Sequence, residues 1–334
     1  MKTRIFKEYD FGDGEKKYLA ISYSQLEVFL NCPYRWFKYY LLGQGESSST
    51  ESTELGTAIH SSIEEFCQAK QEGKVWEIAE AIELVEHKLN DRKITFEPKM
   101  DKEIVQQHLD MAIDLVQGEN ALGKLLKQCD VLAQELEFKL RVKLPFDVIY
   151  DGETYNEVVL NGFIDLLLKD NKTGEIIVID HKTSKKMFDK DKLHFNYQLP
   201  IYQLVILQLY GRLPSRCLYY FTRFNEFQEV TPLVLKDEDS EVLTYYKSGR
   251  NKGKPKYIRK SVNMIEHELI EIFRAMYAPK NISSYTSKPT ALCSWCNFSP
   301  WYGGKSMCAK AKFYKRKDIP IKRDAVRKVR GVRR

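Results

Sequence analysis

Apolar and polar positions alternate with period two over residues 132–140, and two nearly continuous apolar runs follow at 158–168 and 176–179. The runs are rich in β-branched side chains. Between them lies Lys169-Asp170-Asn171-Lys172-Thr173-Gly174, a polar stretch with turn chemistry. That pattern predicts strands dominating 131–182, the last two joined as a hairpin. Helical periodicity is expected upstream, at about 56–72, 75–93 and 98–118. Downstream, a helix at 197–210, strands at 216–222 and 229–235, and a long amphipathic helix at 257–278 are expected. Near the start Ser22 opens a helix, with Ser24 as the expected cap. Cys32-Pro33 interrupts it before the aromatic and basic run at 34–40. Residues 1–21 read as a leader, and 44–54 as a Ser/Thr/Glu-rich loop. There is no internal repeat and no Gly-rich phosphate loop.

Each apolar run carries a carboxylate. Folding the hairpin symmetrically about Lys172 and Thr173 sets Asp165 opposite Asp180, with Cβ atoms about 5 Å apart on one face. Lys182 is two residues further on, so it shares that face. Facing carboxylates repel, and burial sharpens the conflict. A hard divalent ion such as Mg²⁺ or Mn²⁺ resolves it, since such ions take oxygen ligands and retain waters. The plainer reading makes the aspartates strand-end caps with the lysine in solvent, and a bulge would change the register.

Three further constellations bear on that choice. His60 and Glu64 are one helical turn apart, behind Gly56, and imidazole suits Mn²⁺ better than Mg²⁺. Gln198 and Tyr202 are also i and i+4, able to reach one target. Seven cysteines without a secretory signal do not suggest a disulfide framework. Cys32, Cys293, Cys296 and Cys308 have ligand-like placement, whereas Cys67, Cys129 and Cys217 sit in apolar contexts.

With 334 residues, 43% hydrophobic and 30% charged, the chain suits one large or two modest globular domains. Its net charge of +7 is uneven: residues 309–334 hold twelve Lys/Arg and two Asp, leaving −3 for the rest. A basic tail fits either a polyanion contact or a solubilising end. Lys247 to Lys256 forms a second basic patch, expected as an exposed loop able to follow a phosphate backbone. The most apolar helical stretch, 199–209, is too short to span a membrane. With no signal-peptide core at the start, a cytoplasmic protein without membrane association is expected.

Together, Gly56-Thr57-Ala58-Ile59-His60, Gly162-Phe163-Ile164-Asp165, Ile179-Asp180-His181-Lys182-Thr183 and Gln198-x-x-x-Tyr202 resemble the RecB-like nucleases of the PD-(D/E)XK superfamily. Ser24-Gln25-Leu26-x-x-Phe29-x-x-Cys32-Pro33-Tyr34-Arg35 is similar to the N-terminal cysteine segment of its iron–sulfur members, among them AddB-type nuclease domains and CRISPR-associated single-strand exonucleases. The resemblance covers roughly 22–308. It implies an α/β fold with a restriction-endonuclease-like core: a central mixed sheet (131–235) flanked by helices, a helical part at 56–118, a Cys-rich end at 293–308, and chain ends joined by a four-cysteine cluster. It implies that His60, Asp165, Asp180 and the His181 carbonyl hold Mg²⁺ or Mn²⁺. Lys182 would act on the water or the phosphate, and Gln198 and Tyr202 would hold the nucleic-acid backbone or Lys182 itself. Glu135 is a lesser candidate for an outer ligand. Cys32, Cys293, Cys296 and Cys308 would hold a [4Fe–4S] cluster, with Zn²⁺ as the alternative. Eleven residues separate Cys296 from Cys308, longer than is usual in this family. The implied function is a metal-dependent deoxyribonuclease, an exonuclease by preference, in DNA recombination, repair or replication. A helicase or recombination protein is the implied partner, and closed homo-oligomeric rings are compatible with it. The rivals are a non-catalytic DNA-binding subunit of a recombination complex, a nuclease acting on RNA, and a zinc-stabilised interaction protein.

Overall fold

The two apolar runs become adjacent strands of a mixed sheet. The computed structural model describes residues 3–12, 14–44, 51–90, 102–277, 285–290, 293, 296, 298 and 308. The basic tail 309–334, loop residues 45–50, and the Cys296–Cys308 insert apart from Phe298 lie outside the described residues. Along the chain run β1 (Phe6–Asp10), β2 (Glu15–Ile21), α1 (Tyr23–Asn31), α2 (Pro33–Trp36) and a π-helical turn (Phe37–Leu41). Then come α3 (Glu51–Gln71), α4 (Ile78–Asn90), α5 (Lys102–Gln117), α6 (Ala121–Leu126), β3 (Cys129–Tyr150), β4 (Glu153–Asp170) and β5 (Ile176–Lys182). The remainder is α7 (Lys190–Phe195), α8 (Gln198–Tyr210), β6 (Arg216–Phe221), β7 (Glu226–Val230), β8 (Glu241–Tyr245), β9 (Pro255–Arg259) and α9 (Val262–Tyr277). No helix among the described residues is long and apolar enough to cross a membrane.

The chain forms two compact units, Met1–Ser48 with Arg141–Leu160 and Ile272–Arg334, and Ser49–Leu140 with Asn161–Glu271. In the second unit, β4 and β5 pair antiparallel, β5 and β6 parallel, and β6 and β7 antiparallel. The β4–β5 register is the one the turn predicts: Leu166 faces Ile179 and Leu167 faces Val178, so one further step brings Asp165 opposite Asp180. Ile177 and Ile179 pack with Leu55, Ile59 and Ile63 of α3 and with α4–α6 in one apolar core. By alternation Val178 and Asp180 point to the opposite face. There α8 lies against β5, buried from Gln198 to Ile206. Central strands buried on both faces explain the unbroken apolar runs.

In the first unit, β1 and β2 form an antiparallel hairpin, and Leu19, Ala20 and Ile21 pair in parallel with Val158, Val159 and Leu160. The expected leader is therefore strand from residue 6 onward. Ser22, not Ser24, caps α1, its Oγ accepting from Gln25 N at 3.3 Å. Trp36 and Phe37 are buried, Trp36 edge-on to Phe29 and Tyr277, and Phe37 stacked on Tyr285 at 4.7 Å. Within the 34–40 run, Trp36 and Phe37 are thus committed to packing, while the other five residues are half-buried. Two smaller differences occur downstream: residues 257–259 belong to β9, not to the long helix, and the final sheet strand is 226–230.

Candidate active site

Four elements of the second unit converge on one cluster: Asp165 from β4, Asp180, His181 and Lys182 from β5, His60 from α3, and Gln198 and Tyr202 from the start of α8. Two glycines allow the approach. A Cβ on Gly56 would meet the Thr183 hydroxyl at 3.1 Å, so α3 crosses close to the end of β5. A Cβ on Gly162 would meet the Phe138 ring at 3.1 Å, and that ring lies edge-on to Tyr202 at 5.8 Å.

Asp180, only 2% exposed, is the best connected of these groups. Its Oδ2 pairs with Lys182 Nζ at 2.5 Å, and its Oδ1 accepts from Gln198 Nε2 at 2.6 Å. Gln198 Oε1 in turn accepts from Lys182 Nζ at 2.8 Å, closing a triangle of lysine, glutamine and aspartate. Tyr202 adds its hydroxyl, 3.0 Å from Gln198 Nε2 and 3.4 Å from Asp180 Oδ1. Gln198 thus contacts both the lysine and the aspartate, and Tyr202 the aspartate. Helical i, i+4 spacing delivers both polar ends to one target, as expected.

Across the strand pair, Asp165 Oδ2 accepts from the His181 backbone N–H at 2.7 Å and lies 3.4 Å from His60 Nδ1. The His181 imidazole Nδ1 is 3.9 Å from the same oxygen, and the two histidine rings meet edge to face at 5.6 Å. Nitrogen or oxygen atoms of His60, Asp165 and His181 all fall within 4.8 Å of one another, a spacing a metal ion could bridge. Sequence reasoning assigns only the His181 carbonyl to the metal and misses the side chain. The signal available was a histidine at the middle position of Asp-x-Lys.

The electrostatics fit a cation-seeking site. Burial, then the neighbouring Asp180 charge, then Glu135 push the Asp165 carboxyl well above the usual carboxylate range, although the His181 N–H opposes this. Burial holds His60 below its ordinary value and His181 well below it, so both imidazoles are neutral with lone pairs available. Burial and the nearby carboxylates keep the Tyr202 phenol protonated. Glu135 is drawn in as well: burial, then Glu64 and Asp180, raise its carboxyl. Its φ of +44° interrupts β3, and the buried positions switch from Cys129 and Val131 to Phe138. One irregular residue has exchanged the strand's faces. Glu135 is therefore no ordinary member of a solvent-facing row. Buried carboxylates beside neutral imidazoles are a donor set suited to a divalent ion.

In the first unit, Cys32, Cys293, Cys296 and Cys308 line one small cavity of about 20 Å³ with Tyr34, Arg35 and Lys288. All four are free thiols. Cys32 caps α2 at the break made by Pro33, Cys293 Sγ accepts from Thr290 N at 3.4 Å, and Cys308 packs with Phe298 beside Tyr34 and Tyr39. The long insert does not keep Cys308 from its partners. Cys67, Cys129 and Cys217 are buried apart from these, and burial pushes the Cys67 thiol up to about 12.

The mixed sheet flanked by helices, with carboxylates, histidines and a lysine gathered at the ends of β4 and β5, is the architecture of the PD-(D/E)XK class. The family model described as "PD-(D/E)XK nuclease superfamily" matches residues 20–301, and the chain belongs to that family. Curated relatives include a subunit of the "ATP-dependent helicase/deoxyribonuclease" of Clostridium botulinum strain Hall, 24% identical over 232 residues, 60% of this chain and 19% of the relative. The protein of the same name from strain Loch Maree is 25% identical over 232 residues, with the same coverage. The chain spans about a fifth of the length of these relatives.

Proposed function

We propose that this protein is a divalent-metal-dependent deoxyribonuclease, acting as an exonuclease on DNA ends during recombination, repair or replication. The observation that carries the reading is the gathering of Asp165 and Asp180 at the ends of the adjacent strands β4 and β5, with Lys182 ion-paired to Asp180 at 2.5 Å and hydrogen-bonded to Gln198 at 2.8 Å. Asp165, Asp180 and His60 hold Mg²⁺ or Mn²⁺, joined by His181 through its carbonyl or its ring. The bound ion supplies positive charge to the scissile phosphate and lowers the pKa of a water. Lys182 orients the attacking water and offsets charge developing on the phosphate. Gln198 and Tyr202 fix the lysine and Asp180, so the ammonium is already placed when substrate arrives.

Cys32, Cys293, Cys296 and Cys308 hold a [4Fe–4S] cluster. Four thiols around one cavity, with Cys32 brought in from the other end of the chain, support this reading, with tetrahedral Zn²⁺ as the alternative. Its role is to tie the first forty residues to the 293–308 segment within one unit. The relatives' name pairs a helicase with a deoxyribonuclease, which supports a separate helicase as partner.

End-labelled single- and double-stranded DNA, incubated with anaerobically purified protein and Mn²⁺, Mg²⁺ or EDTA, tests the reading. Metal-dependent loss of label, abolished by Lys182→Ala, is expected, with mononucleotides or short products marking exonuclease action. Clean DNA binding without cleavage in either metal would refute it in favour of a non-catalytic subunit.

A further inference from the structure

Outside the catalytic cluster, the β8–β9 hairpin presents a strongly basic surface on the second unit. From Tyr246 to Lys260 the chain carries seven Lys/Arg and no acid. Three of these cations are matched: Lys256 pairs with Asp191 at 2.8 Å, Arg259 with Glu241 at 3.6 Å and Lys260 with Glu268 at 2.7 Å. Lys247, Arg250, Lys252 and Lys254, at the tip, are all exposed, and among the described residues none forms an ion pair. The tip is built. Tyr246 and Lys254 close it (N to O, 3.0 Å), Gly253 N returns to Tyr246 O at 3.0 Å, and Lys252 N bonds Gly249 O at 3.1 Å. Gly249 and Gly253 take the left-handed backbone the turn requires, at φ +76° and +81°. Holding four unmatched cations in one ordered turn costs mutual repulsion, which a polyanion would relieve.

The hairpin is also tied to the catalytic cluster. Tyr257 donates to Asp191 at 2.5 Å and packs its ring, tilted, against His194 at 4.7 Å, and Ile258 N bonds His194 Nε2 at 3.1 Å, both partners lying on α7. The next residue beyond α7, Asn196, accepts from Gln198 N at 2.7 Å, and Gln198 holds Asp180 and Lys182. Exposed aromatic surface flanks the charge, with Tyr245 54% and Phe195 46% exposed. Cations beside exposed rings are the composition that holds single strands, whose bases stack while phosphates pair.

We propose that the β8–β9 hairpin is a substrate arm that grips the backbone of single-stranded DNA ahead of the cleavage site. The proposal rests on the nuclease reading for the identity of its ligand. The test is fluorescence anisotropy of the full chain with a labelled oligothymidylate and a labelled duplex, in Ca²⁺, from about 50 to 300 mM salt. Replacing Lys247, Arg250, Lys252 and Lys254 together with serine should flatten the single-strand salt slope by about 2–3 and weaken binding about a hundredfold at 0.1 M salt. Tyr245→Ala should weaken single-strand binding about tenfold and leave the duplex unchanged. An unchanged slope in the quadruple variant overturns the arm. Equal losses on both DNAs with no effect of Tyr245→Ala overturn its single-strand character. Cleavage by wild type in Mn²⁺ is scored separately: a protein that binds through the arm and never cuts refutes the nuclease and keeps the arm, and one that cuts with the slope unchanged does the reverse.

Discussion

Replacing Gln198 with leucine would test the central claim about the catalytic cluster, that this side chain acts on Asp180 and Lys182 and does not itself hold substrate. Gln198 is 9% exposed, donates to Asp180 at 2.6 Å and accepts from Lys182 at 2.8 Å. Each is a hydrogen bond to a charged group, worth roughly 1.5–3 kcal/mol. Losing both costs about 3–6 kcal/mol, of which apolar contacts of the leucine return about 1–2. A net loss of about 2–4 kcal/mol follows, because the 2.5 Å Lys182–Asp180 pair remains. Urea unfolding without metal reads this directly. Single-turnover cleavage in saturating Mn²⁺ should slow about ten- to a hundredfold at unchanged DNA affinity, since a mobile lysine is present but misplaced. A variant as stable as wild type, with weaker DNA binding and an unaltered rate at saturation, would overturn the claim and make Gln198 a substrate ligand.

Cys32→Ser should remove most iron and acid-labile sulfide and lower the melting temperature, whereas retention of both would take Cys32 out of the cluster. Deleting 309–334 should flatten the salt dependence of DNA binding, measured by anisotropy; an unchanged slope makes the tail a bystander. The stabilisation given by Mn²⁺ should grow as pH rises from about 5 to 8, read from melts with Mn²⁺ and with EDTA. The sign follows from Asp165: its folded carboxyl titrates well above its unfolded value, so stability in EDTA is highest below the unfolded pKa and falls as pH rises through the folded one. A metal increment that does not change with pH would mean that Asp165 is not at the ion.

The opposed aspartates were legible because their strands are short-range partners. A six-residue polar turn between β-branched runs leaves few registers, and the apolar faces select one. Gln198 and Tyr202 were legible as a pair, and the family resemblance offered Lys182 as one target; their shared acceptor Asp180, on a strand more than a dozen residues away, was not legible. The β1–β2 hairpin was not legible. Glu15, Lys16 and Lys17 mask the apolar end of β2, and the strand is fixed by a parallel pairing of Leu19 with Val158 that no local pattern reports. The β8–β9 arm was hidden for a related reason: its glycines and lysines read as a loop, and its order comes from Tyr257 and Ile258 seated on α7. Glu135 was discounted because period-two alternation was extended straight through the residue that breaks it.

That break bears on why the cluster is assembled as it is. Asp180 and Glu135 raise the proton affinity of Asp165, Asp180 and Glu64 raise that of Glu135, and the Lys182 ammonium opposes the rise at Asp165. A site optimised for stability would replace such carboxylates with apolar side chains, since buried charge seldom repays its desolvation. Glu135 adds backbone strain to that cost, of order 1–3 kcal/mol for a non-glycine residue at positive φ. Local rules broken at several residues around one point are the expected mark of a functional site. Here the violations share one remedy. A divalent ion between the carboxylates would turn mutual repulsion into common attraction, so the same residues that weaken the empty fold set its affinity for metal.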